Sequence, residues 1–322
     1  IVMIDQEKIA TVLDAAALRS AERRRFLSLV GRGGAAAGGL ALLSACGGSS
    51  SGSATPTPTP SATSTSSIEA ADISILNYAL NLEYLSAQYF SWAAQGSGLP
   101  ASDTSGTGTP GSVTGGTQVT FADPIVAACA REIARDERAH VEYLRAQLGS
   151  AAVAMPAIDI SNAFAALGQI AGVASFNPYS SDENFLYGAF ILKDVIVTAY
   201  KGLAPLVGTP AWIAGVAGIL GAESYHGGLI RTLLYQKGFT VTPTKFSDAR
   251  DSLDGSTDLD QGIAGADSSI SNVAPVDGNG IVFSRSTGQA LNIFFLNKAS
   301  TTSGGFFPSG VNGTVNASAA SG

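Results

Sequence analysis

Four long stretches of this chain repeat apolar residues every three or four positions, and each buries an acidic residue inside its apolar stripe. The first covers about 69–95. Stepping 100° per residue from Glu83 puts Leu76, Ala79, Leu80, Ala87 and Phe90 within about 60° of it, so the carboxylate lies mid-stripe. The second covers about 123–148 and opens with Asp123-Pro124, an N-cap followed by proline at the first helical position. Val126, Ala130, Ile133, Val141, Leu144 and Leu148 share a face with Glu137 and His140, while Arg131, Glu132, Arg135, Arg138, Glu142 and Arg145 take the opposite face; Gly149 supplies the stop. The third covers about 182–204, capped by Ser181 or Asp182, with Asp194 as its central acid among Tyr187, Phe190, Ile191, Val197 and Thr198. The fourth covers about 210–237 and sets Glu223 and His226 among Trp212, Val216, Ile219, Leu220, Ile230 and Leu234.

These elements predict an all-α fold, an antiparallel four-helix bundle over 69–240. Only Pro205–Pro210 separates helices 3 and 4, so they are adjacent and antiparallel. About 32 residues join helices 2 and 3, with a short helix near 161–170, long enough to cross the full length of a bundle. The Ser/Gly/Thr-rich segment 96–123 reads as a surface insertion. Residues 241–322 read as a loop-rich extension with short helices near 246–253 and 287–297. Its apolar run Ala290–Leu296 either covers the bundle or forms an interface in a homo-oligomer.

Charge and the N-terminal region narrow the class. Of 322 residues only 13% are charged, and the chain beyond residue 45 carries a net charge of −9. Such a body has no electrostatic footprint for nucleic acid. Arg23-Arg24-Arg25-Phe26-Leu27 resembles a twin-arginine export signal, a route that carries folded proteins. The apolar run Leu29–Ala45 follows and ends in Leu43-Ser44-Ala45-Cys46, which resembles a lipobox whose cysteine is lipidated. Residues 1–45 are thus expected to be a signal peptide and 46–68 a low-complexity tether with Thr-Pro repeats. The expected location is the periplasm or cell envelope, with the membrane as partner through a lipid on Cys46. Gly47 in place of Asp points to the outer membrane in a Gram-negative cell. Cys129 is left without a partner and reads as a small buried hydrophobe.

The chain's two histidines each follow a glutamate by three residues, in Glu137-x-x-His140 and Glu223-x-x-His226, although the whole sequence holds nine glutamates. Residues three apart share a helix face, so each motif presents a carboxylate beside an imidazole. An unpaired carboxylate on a buried stripe costs several kcal/mol. Four helices that each accept this cost are explained together if the charges meet on metal ions, as in dinuclear carboxylate bundles. Such donors suit iron or manganese.

Asn77–Leu85, Ile133–Val141, Asp194–Gly202 and Gly221–Gly228 together resemble the ferritin-like proteins related to the desiccation-induced family, whose bacterial members often carry export signals. The tail Gly304-Gly-Phe-Phe-Pro308-x-Gly310-x-x-Gly313 is similar to a tail that recurs among them. The resemblance implies a ferritin-like bundle with two iron or manganese ions on Glu83, Glu137, His140, Glu223 and His226. It also implies an acidic ligand on helix 3, where Asp194 is the matching position. Asp194 is one methylene shorter than the usual glutamate, so it either binds one metal or holds a histidine from behind. The implied chemistry is ferrous oxidation or peroxide removal with O2 or peroxide as partner. A non-catalytic envelope scaffold is the alternative, since fold alone confers no activity.

Overall fold

The computed structural model describes residues 63–320 except 266 and 268, with side chains from residue 68 onward. The expected signal peptide, Cys46 and the expected tether as far as residue 62 lie outside the described residues. Eight α-helices follow: α1 (Thr63–Gln95), α2 (Ala101–Thr104), α3 (Pro124–Leu148), α4 (Asn162–Ile170), α5 (Asp182–Leu203), α6 (Pro210–Gln236), α7 (Val241–Asp254) and α8 (Thr287–Phe295). The first helix thus starts six residues before the expected position, inside the Ser/Thr run assigned to the tether. The other long helices begin and end within a residue or so of their signals. Asp123 caps α3 by accepting from the Ile125 N–H at 2.8 Å, and Gly149 stops it at φ +55°, a conformation that costs glycine little. Ser181 caps α5 by accepting from the Asn184 N–H at 3.2 Å.

Polar contacts at the two ends fix the directions of the rods. At one end the Asp182 carboxylate accepts from the Ala122 and Asp123 N–H groups, and Lys237 pairs with Asp123. The starts of α3 and α5 therefore lie beside the end of α6. At the other end Asp72 of α1 accepts from the Gly208 and Thr209 N–H groups at 2.8 Å, beside the start of α6. The Tyr89 hydroxyl, near the end of α1, donates to the Phe185 carbonyl at the start of α5 at 2.7 Å. Helices α3 and α5 are parallel, so the connection between them has to traverse the bundle, and 149–181 does so.

The 96–123 segment is the surface insertion expected of it, with only Asp103 and Val119 buried, but it is also tied to the crossover. Its strand β1 (Val113–Thr114) pairs in parallel with β2 (Ile158–Asp159) of the crossover, and Thr107 bridges Val153. Glycine permits this seam: a Cβ on Gly111 would lie 2.0 Å from the Ala157 nitrogen. The seam and the C-terminal extension wrap α1 so completely that every residue from Leu76 to Ser91 is buried. Residues Ala290–Phe295 are buried within the chain itself, which makes this run a cover for the bundle. The tail docks through Phe306 and Phe307, both fully buried, and through Asn312, whose N–H and carbonyl exchange hydrogen bonds with the Asn81 side chain on α1 at 3.1 and 2.8 Å.

Candidate metal centre

Three of the rods bring their stripe glutamates to one point at mid-bundle. Glu83 of α1, Glu137 and His140 of α3, and Glu223 of α6 each offer a ligand atom within 4.8 Å of all the others. All three carboxylates are fully buried. His140 Nδ1 faces Glu83 Oε2 at 3.3 Å and Glu223 Oε1 at 3.2 Å. His226 lies alongside, its ring centroid 6.2 Å from that of His140, with Nδ1 at 3.2 Å from Glu137 Oε1 and Nε2 at 3.3 Å from Asp136. Thus five of the six residues read as ligands from the sequence converge.

Asp194 does not join them, which corrects its assignment to the centre. It sits one helical step around α5 and turns to the opposite side, where it accepts from Arg231 at 2.7 Å and Arg250 at 3.1 Å. Those arginines belong to a buried ionic layer with Asp254, Asp260 and Arg285 that fastens the C-terminal extension to α5 and α6. Arg231 and Arg250 also lie over the Phe190 ring at 5.2 and 4.5 Å. Two arginines hold this carboxylate, so it is neither a ligand nor a support behind a histidine.

Lys193 occupies the α5 side of the centre instead. It is fully buried, and its ammonium donates to Glu137 Oε1 and, at 2.6 Å, to Glu223 Oε2, while lying 5.1 Å from the Phe90 ring centre. A sequence pattern built on acids passes over this residue. The available signal is its seven-residue spacing from Tyr200, which puts both on one face of α5. Tyr200 is indeed buried beside Glu83, and burial together with that carboxylate holds its phenol well above its usual range. Tyr225, by contrast, is 79% exposed on the outside of α6.

The electrostatics are those of anions crowded around too little positive charge. Burial, reinforced by Glu223, pushes the Glu83 carboxyl up to about 7 despite His140. Burial also opposes ionisation of Glu137, but Lys193, His226 and His140 outweigh it and hold that group well below the usual carboxylate range. Burial works against the charged form of Lys193, but Glu137, Glu223 and Glu83 outweigh it and push the group up to about 12. Burial works against both imidazolium ions, yet Glu83 and Glu223 raise His140 well above its usual value, and Asp136 and Glu137 raise His226.

The unsatisfied atoms indicate what the cluster can hold. Both oxygens of Glu83, Glu137 Oε2, Glu223 Oε1 and the Nδ1 atoms of His140 and His226 are buried without a hydrogen bond among the described residues. Buried polar atoms are rarely left so, and these six, all on metal-ligating residue types, gather at one point. The donors therefore fit a cation of the iron or manganese class. The site is closed on the α1 and α5 sides. Toward the seam between α3 and α6 it opens slightly: the His140 side chain is 12% exposed and that of Asp136 39%.

Comparison with known proteins agrees with this geometry. The family model for the ferritin-like domain matches residues 71–236. The ferritin-like catalase Nec2 of Nesocodon mauritianus is 29% identical over 276 residues, covering 77% of this chain and 86% of the relative. The desiccation-related protein PCC13-62 of Craterostigma plantagineum is 30% identical over 246 residues, covering 70% and 77%. No solved structure matches.

Proposed function

The chain belongs to the ferritin-like domain family, and from that premise we propose that it is an exported, lipid-anchored protein that uses a redox metal in its bundle core to remove peroxide. The observation that carries this reading is the buried set Glu83, Glu137, His140 and Glu223, in which four carboxylate oxygens and the His140 Nδ1 have no hydrogen bond among the described residues. The similarity to a relative described as a ferritin-like catalase favours peroxide over ferrous iron as the substrate. Iron or manganese bound there supplies a redox couple that the side chains alone lack.

The chain's own groups then do recognisable work. The partial exposure of His140 and Asp136 makes the seam between α3 and α6 the side from which a small oxidant would approach, while Glu83, Glu137 and Glu223 themselves are fully buried. Lys193 holds Glu137 and Glu223 in place. Two ions of iron or manganese is the loading that the family resemblance implies.

Export and anchoring rest on the sequence of the leader: the arginine pair, the apolar run and Cys46 fall in the order that a twin-arginine lipoprotein requires. Among the described residues no helix is long and apolar enough to cross a membrane. A lipid on Cys46 would therefore be the membrane contact, with the body in the periplasm and no role for nucleic acid.

A second reading, a non-catalytic envelope protein with a structural or vestigial site, is favoured by one observation. Lys193 already satisfies two of the three carboxylates, so the core needs less from a metal than an all-acid cluster would. Metal analysis of protein purified from its export route, followed by oxygen evolution from added peroxide, separates the two. Bound iron or manganese with turnover supports the enzyme; bound metal without turnover supports the scaffold. Replacing both His140 and His226 by alanine should abolish loading while leaving the chain helical.

A further inference from the structure

We propose that the Lys193 ammonium stands in for one of the two cations, so that the centre holds a single divalent ion among Glu83, Glu137, His140 and Glu223. The inference rests on the metal-binding reading above and sharpens it.

Three observations support it. The first is position. Lys193 Nζ lies between carboxylates from two different rods, Glu137 of α3 and Glu223 of α6, on the side of the cluster where the missing α5 acid would have ligated. A cation spanning those two oxygens is what a second metal would have been. The second is confinement. Lys193 is fully buried on a helix packed on every face, with Phe90 against its ammonium, so it has no route to swing into solvent and vacate the place. The third is charge. An all-acid set of four carboxylates balances two divalent ions. Here the set has one carboxylate fewer and one ammonium more, a deficit of two negative charges that corresponds to one divalent ion fewer. A second ion would leave two uncompensated positive charges in a region of low dielectric, which is costly.

The atoms left over agree. With Glu137 Oε1 and Glu223 Oε2 taken by the lysine, the oxygens left without a hydrogen bond are both of Glu83, Glu137 Oε2 and Glu223 Oε1, and with His140 Nδ1 they describe one coordination site. His226 falls outside the group whose atoms lie within 4.8 Å of one another and instead spans Glu137 and Asp136.

The test uses the full chain, stripped with a chelator, loaded anaerobically with manganese(II) alone and desalted, then measured by elemental analysis and electron paramagnetic resonance. Wild type should retain one manganese per chain and give the spectrum of an isolated ion. Lys193→Glu, which supplies a fourth carboxylate and removes the ammonium, should retain two and show exchange coupling between them. Two coupled ions in wild type would overturn the proposal and leave the metal-binding reading standing; none in wild type would overturn both. A folded Lys193→Glu chain that still holds one ion would show that the lysine does not set the number. Should that variant fail to fold, the wild-type count and spectrum decide.

Discussion

Removing the lysine without adding a carboxylate gives the sharpest test of how the bundle tolerates its own acids. In Lys193→Met the side chain keeps nearly its length, but Glu137 and Glu223 each lose a charge-assisted hydrogen bond in a fully buried setting. Hydrogen bonds to charged groups contribute about 1.5–3 kcal/mol each, and stranding a buried charge by deleting its partner costs about 3–5 kcal/mol. Part of this is recovered if a carboxylate takes up a proton, so about 3–5 kcal/mol is the net loss expected for metal-free protein at neutral pH. For a domain of this size that lowers the melting temperature by roughly 6–20 °C, readable by thermal circular dichroism. Manganese should then restore more stability to the variant than it adds to wild type, because in the variant the ion also relieves two unpaired carboxylates. A ligand at about 100 times its Kd adds about 2.7 kcal/mol to a protein whose site is otherwise unstrained, which sets the wild-type reference. If metal-free Lys193→Met melts at or above wild type, the account of Lys193 as the internal counter-ion is wrong.

Other outcomes follow from the same geometry. Asp194→Asn should leave metal content unchanged but lower stability by about 3–5 kcal/mol, since Arg231 loses its carboxylate partner in a buried layer; loss of metal instead would return Asp194 to the ligand set. His140→Ala should weaken manganese binding by more than about 100-fold, whereas His226→Ala, acting through Glu137, should cost about 10–100-fold, measured by titration calorimetry; equal losses would argue against the asymmetry. The metal-free protein should melt lower at pH 8 than at pH 6. Glu83, raised from 4.5 to about 7, contributes stability that is complete below about pH 4.5 and gone above 7. The raised histidines contribute stability that is complete below 6.5 and declines above it. Glu83→Gln should flatten that slope, and a melting temperature that climbs with pH would contradict both directions of shift.

Most of the bundle is legible in the sequence because α3 announces itself: its charged residues face water, and Asp123 and Gly149 mark its ends. Glu137 and His140 can be assigned from that contrast, and Glu83 and Glu223 by analogy with it. On α5 the contrast fails. Nearly every residue from Phe185 to Tyr200 is buried, so no solvent face exists from which to measure the inward direction. Lys193 and Asp194 are neighbours, and a single 100° step decides which one meets the glutamates. What decides it are Arg231 and Arg250, 37 and 56 residues away in sequence, which claim the aspartate for another layer. No local pattern carries that information. The 96–123 segment reads correctly as a surface insertion, but its pairing with the crossover does not show in the sequence. Its Ser, Gly and Thr content suits an exposed loop, but the same small residues let a backbone lie directly against another, and composition does not separate the two uses.

The Asn81–Asn312 clasp has a bearing on when this molecule can be finished. Asn81 lies two residues before Glu83 and is wholly enclosed, and its side-chain amide spends bonds on a residue 231 positions further along the chain. A nascent polypeptide halted anywhere short of Asn312 would keep the Asn81 bond to the Asn77 carbonyl but leave the amide oxygen unanswered in the wall of its ligand cage. Helix-by-helix assembly on the ribosome can therefore line up the rods, but the cage closes only after the last stretch of tail has been made. Under the export route proposed above, translocation of the folded body would have to wait until synthesis has passed Asn312.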